Sequence, residues 1–155
     1  MNEANTKKLY ADFPYLYRGK DASLQESLMS FGFMCSDGWF DIIYNLSKEI
    51  VAIDPEVEAV EVKEKWGGLR FYVNPTKREV FDAIDKAEEL SYKTCEECGK
   101  KGKLRDKLPW ILTLCDKCYE EHLKGFDLET RKKIIKVKRK LMNIKHLKLE
   151  ERLKK

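Results

Sequence analysis

The chain has 155 residues, 37% of them charged and 43% hydrophobic, with a formal net charge of +4. That size fits one domain, or one domain with a small appendage, and is enough to bury a real core. No apolar run is long enough to span a bilayer, and the opening residues Met1 to Lys8 are polar and lack the apolar stretch of a secretion signal; a cytoplasmic location is expected.

In chain order, Leu24 and Leu28 suggest a short helix. Ser36 or Asp37 then offers a cap ahead of Trp39, Ile43, Leu46 and Ile50, whose spacing predicts an amphipathic helix to about Val51. Val60 and Val62 alternate with Glu61 and Lys63, and after Gly67-Gly68 the set Leu69, Phe71 and Val73 alternates with Arg70 and Tyr72. This predicts a β-hairpin with one buried face. Thr76 and Glu79 form a capping box ahead of Val80, Ala83, Ile84, Ala87 and Leu90, so a helix is expected to about Tyr92. Trp110 to Leu114 reads as a return strand, and the segment from Tyr119 to Leu123 as a helical turn. Beyond Gly125, a final helix from about Asp127 to Lys154 places Ile134, Val137, Leu141 and Ile144 on one stripe. The boundaries that follow are an α+β body over 1–93, a zinc finger over 94–124 and a basic C-terminal helix over 125–155.

Two cysteine pairs, Cys95-x-x-Cys98 and Cys115-x-x-Cys118, stand sixteen residues apart. Each pair aims two thiolates at one ion about 2.3 Å away, and two pairs fill the tetrahedral shell that structural Zn2+ prefers. A filled shell has no place for water, so Cys95, Cys98, Cys115 and Cys118 are read as structural metal ligands. In a reducing compartment that reading is favoured over disulfides. Gly99 and Gly102 permit a tight knuckle; knuckle, hairpin and a helix carrying the last two ligands make the layout of a treble-clef finger. His122 is a possible substitute ligand set against a plain solvated position. Lys100, Lys101, Lys103 and Lys117 compensate the charge of about −2 on a zinc with four thiolates, or bind phosphate; compensation is the favoured reading. Cys35, in the apolar run Phe31 to Cys35, reads as a buried inert thiol.

The charge is unevenly placed. Arg131 to Lys155 hold twelve Lys or Arg against two acids, giving +10, while the first 130 residues hold nineteen against twenty-five, giving −6. An attraction to nucleic acid therefore concerns the last 25 residues, with Lys132, Lys133, Lys136, Lys138, Arg139 and Lys140 as contact candidates. The rival role for that segment is a helix docked on the body, its lysines serving solubility. Elsewhere, Glu61-Val62-Lys63 is the acid-x-Lys pair some magnesium-dependent nucleases use, although alternating charges on a half-exposed strand are common. Gly67-Gly68 reads as a hairpin turn ahead of an anion cradle.

The runs Leu28-Met29-Ser30-Phe31-Gly32-Phe33 with Asp37-Gly38-Trp39, Val62 to Tyr72, and Thr94-Cys95-Glu96-Glu97-Cys98-Gly99 with Thr113-Leu114-Cys115-Asp116 resemble a family of small, uncharacterised bacterial and phage-associated proteins. The resemblance covers roughly Leu9 to His122. It implies that histidine often stands where this sequence has Cys118, an exchange between zinc ligands, and it implies no activity; the basic segment after Gly125 departs from it. The function expected is a non-enzymatic, zinc-stabilised protein that contacts nucleic acid, the alternative a protein-binding regulator or inhibitor acting on a host protein, and the distant third a metal-dependent nuclease.

Overall fold

The computed structural model describes residues 1–106 and 110–126. The fold is mixed α+β, with four α-helices and two small sheets among those residues. Helix α1 (Glu3–Asp12) is capped by Asn2, whose side chain accepts from the Asn5 amide. Sequence periodicity misses this helix because only Leu9 of it is buried. The expected helix at Leu24 and Leu28 is instead a 3-10 turn over Leu28–Phe31, with Leu24 exposed. Strand β1 (Phe33–Met34) follows and runs parallel to β2.

Helix α2 (Phe40–Ile53) is the amphipathic helix expected from Trp39 onward, entered through a 3-10 turn at Asp37–Trp39. Neither Ser36 nor Asp37 caps it with a side chain. Asp37 Oδ1 instead accepts from the Asn2 amide and the Asn5 side chain, which ties α1 to this loop. Burial raises the Asp37 carboxyl, but these bonds and the nearby N-terminal ammonium hold it below the usual range.

The hairpin is β2 (Ala59–Lys65) with β3 (Gly68–Val73). Leu69, Phe71 and Val62 face the core as the alternation predicts. Val60 does not: a register shift between Ala59 and Glu61 makes a bulge there, so Ala59 and Val62 turn inward and Val60 is only half-buried. The turn is also one residue earlier than expected. Lys65 pairs with Gly68, leaving Trp66 (φ 57°) and Gly67 (φ 78°) as the two loop residues. Both lie in the left-handed region that a two-residue type I′ turn requires, a place usually held by Asn-Gly.

Helix α3 (Arg78–Ser91) buries Val80, Ala83, Ile84 and Ala87. The predicted capping box does not form; Lys77 is the N-cap without a side-chain bond, and the Thr76 hydroxyl donates to Asp54. Leu90, read as core, is 51% exposed. Strands β4 (Lys103–Arg105) and β5 (Leu112–Leu114) then form a second, two-stranded sheet, followed by helix α4 (Asp116–Lys124). The return strand is shorter than expected, and Trp110 is exposed.

The main core gathers Leu9, Leu16, Tyr17, Met29 and Trp39 with the inner faces of α2, α3 and the three-stranded sheet. A second cluster consists of Cys95, Leu112, Leu114, Cys118 and Tyr119. Cys35 is buried in the main core, and burial pushes its thiol up to about 12, as an inert thiol requires. Among the described residues no helix is long and apolar enough to cross a membrane. The expected helix over Asp127 to Lys154 lies outside the described residues.

Candidate metal centre

Helix α3 leads directly into the first cysteine turn. An isolated bridge between Thr94 and Lys101 closes the knuckle, with the Cys95 amide donating to Lys100 O (2.7 Å) and the Gly99 amide to Cys95 O (2.9 Å). Gly99 takes φ 73°, which lets the chain reverse sharply behind Cys98. Pairing of β4 with β5 returns the chain to the same place, so that Cys115 follows β5 as the N-cap of α4 and Cys118 sits in its first turn.

The four sulfur atoms lie within 4.8 Å of one another, and Cys98 Sγ is 3.7 Å from Cys115 Sγ. Ligands about 2.3 Å from the centre of a tetrahedron stand about 3.8 Å apart, so this cluster can hold one metal ion. All four cysteines are free thiols. The Cys118 amide donates to Cys115 Sγ at 3.4 Å, and this bond leads in bringing the Cys115 thiol down to about 7. Placement at the start of α4 adds the positive end of the helix dipole. Burial pushes the Cys95 and Cys118 thiols up; a coordinated cation overcomes such a penalty, because a metal-bound thiol is deprotonated outright.

Around the cluster, Lys103 and Arg105 both meet Asp116, at 3.0 and 2.8 Å, and the Arg105 guanidinium lies 4.5 Å from the Tyr119 ring centre. Bonds from Arg105 and then Lys103 hold the Asp116 carboxyl at about 2. Lys117 lies 4.0 Å from Glu121. Two of the four lysines named from the sequence thus sit beside carboxylates. His122 is not part of the cluster; its Nε2 is 3.2 Å from Glu97 Oε1.

A seam of hydrogen bonds seats this unit against the main core. The Gly38 amide donates to Glu96 O (2.6 Å), the Trp39 indole to Thr94 O (2.9 Å), and the Ser36 amide to Glu96 Oε1 (3.1 Å). Within the unit itself the Glu96 amide donates to Thr113 O (2.9 Å), and from there the buried Thr113 hydroxyl crosses to Gly67 O (2.6 Å) on the β2–β3 turn. A Cβ on Gly38 would stand 2.2 Å from Cys95 O, so only glycine allows this approach. Burial, joined by the charges of Glu64 and Glu97, raises the Glu96 carboxyl to about 7, although the Ser36 amide opposes it. Sequence reasoning missed Gly38, Trp39 and Glu96 as the seat of the finger, because their partners lie some sixty residues away.

The acid-x-Lys pair is brought together, with Glu61 Oε1 2.7 Å from Lys63 Nζ and Glu61 only 8% exposed. Gly67 and Gly68 do not cradle open space: Leu104 and Ile111 pack over the first and the Tyr92 ring over the second. Lys132, Lys133, Lys136, Lys138, Arg139 and Lys140 lie outside the described residues. No protein-family model, no curated protein and no solved structure matches the chain.

Proposed function

We propose that this protein is a non-enzymatic binding protein, held in shape by a structural Zn2+ in a treble-clef-like finger and contacting nucleic acid through the basic segment after Gly125. Zinc is the metal of choice for four closely set thiolates, and a complete sulfur shell holds chain segments together without offering water or substrate a coordination site. The observation that carries the nucleic-acid reading is the separation of charge, +10 in residues 131–155 against −6 in the preceding 130. Such a segment gains affinity by releasing counterions from a phosphate backbone, one contact at a time.

The test is retention of the full chain on DNA and on RNA at two ionic strengths. Retention should fall steeply with salt and be lost when Lys132, Lys136, Arg139 and Lys140 are changed to Glu. Unchanged retention in that variant would refute the reading. A protein-binding regulator is the second reading, and its supporting observation is Trp66, 64% exposed on a strained turn with Leu104 and Trp110 also exposed. Stoichiometric copurification of one partner, abolished by Trp66→Ser, favours that role.

A further inference from the structure

Helices α2 and α3 leave an open groove between them. Its floor is Ile42, Leu46, Ala83 and Ala87, with the half-exposed Leu90 at one end. Asp41 and Glu49 stand on the α2 rim and Lys86 on the α3 rim. The volume is about 230 Å³, smaller than the roughly 300–1,000 Å³ of small-molecule sites, and it suits a few apolar side chains of a polypeptide. The carboxylates of Asp41, Glu49 and Glu89, the last beside Leu90, meet no cation among the described residues. The groove is therefore apolar in the middle and net acidic at its edges.

One segment of this chain has the complementary pattern. Ile134, Val137, Leu141 and Ile144 recur in steps of three, four and three, which at helical spacing makes a single apolar stripe. Lys133, Lys138, Lys140 and Lys145 flank that stripe, whereas Lys132, Lys136 and Arg139 fall on the opposite face. The lengths agree: Asp41 to Glu49 spans about 12 Å of helix and Ile134 to Ile144 about 15 Å. The connection also suffices. Phe126 packs on the finger cluster, Gly38 and Leu90 place the finger at the Asp41 end of the groove, and the seven residues 127–133 reach up to about 23 Å.

We propose that residues 134–144 lie in the α2/α3 groove of their own chain, with Ile134, Val137, Leu141 and Ile144 on its floor and the flanking lysines against Asp41, Glu49 and Glu89. Docked in this way, the segment presents Lys132, Lys136 and Arg139 outward as one basic face. The inference does not depend on what that face meets, since it concerns only how the segment is held.

Hydrogen exchange of the full-length protein, free of nucleic acid at low salt, tests it. Amides of residues 134–144 should be protected in the wild type. Protection should fall about tenfold in Glu49→Lys/Leu90→Lys, two exposed positions outside the core, while amides of Val80 to Ile84 remain as slow as before and report an intact body. Changing Lys133, Lys138, Lys140 and Lys145 to Glu in a chain carrying Asp41→Lys and Glu49→Lys should restore protection lost by either set alone. Residues 134–144 exchanging freely in the wild type would overturn the proposal, as would protection identical in the groove variant. Protection that rises with protein concentration would also overturn it, by assigning the groove to a second copy.

Discussion

The two hydrophobic clusters hold their parts of the chain by different means. Around α2, α3 and the three-stranded sheet, twenty of the described side chains are buried together, among them Trp39, Tyr17, Met29 and Ile43 at full burial. Among the described residues the finger's apolar cluster has five buried members, two of which are cysteines. Units of about 40 residues or fewer seldom fold on apolar burial alone and need a metal, disulfides or a partner. The first region is thus stabilised by the hydrophobic effect, whereas the second, with four converging thiols in place of a large apolar core, relies on the seam to its neighbour and on the metal ion proposed above. Treating the two as separable thermodynamic units has measurable consequences.

The largest effect should come from the four cysteines proposed to hold zinc. Cys98→Ala, or a strong chelator, should release the ion and unfold residues 94–124 while the amides of α2 and α3 keep their protection, because the binding energy of a structural zinc, about 10–16 kcal/mol, is folding energy. Acid should do the same, since protons compete for thiolates. Elemental analysis beside hydrogen exchange reads both; a variant with full zinc content and an unchanged melting curve would remove the metal from the account. Next, Gly38→Ala should cost about 1–3 kcal/mol, since its Cβ would meet the Cys95 and Glu96 carbonyls at 2.2 and 2.5 Å. The loss should appear as a detached finger rather than a weakened core, and denaturant melts followed separately by hydrogen exchange of the α2 and α3 amides and by metal release would tell these apart.

Thr113→Val keeps the shape of the side chain but leaves Gly67 O without its hydroxyl donor, so a loss of about 1–2 kcal/mol is expected in the same two-probe melt. The smallest effect has the opposite sign. Trp66→Asn at the left-handed turn position should stabilise the hairpin by up to about 1 kcal/mol, and a Tm that does not rise would mean that Trp66 makes contacts worth as much as its strain.

Much of this was legible in the sequence, for local reasons. The cysteine spacing announced one cluster, and the cysteines do converge. The alternation of Leu69 and Phe71 found the buried face of β3, and the three-to-four spacing of Trp39, Ile43, Leu46 and Ile50 found α2. What was missed depends on partners far along the chain. The Thr76 hydroxyl, expected to cap α3, turns to Asp54. Asp37, expected to cap α2, serves the N-terminal helix. The bulge at Val60 shifts the phase of β2 without any local sign, and a tryptophan at a type I′ position carries none of the Asn-Gly signal that locates such turns.

On the finger side, the seam is built largely on carbonyl oxygens, those of Thr94 and Glu96 accepting from Trp39 and Gly38. Every amino acid supplies that acceptor. Exposed knuckle side chains that take no part in the seam can accordingly be rewritten in charge or size without unseating it, which makes this unit a scaffold for display libraries varied at Lys100 and Lys101.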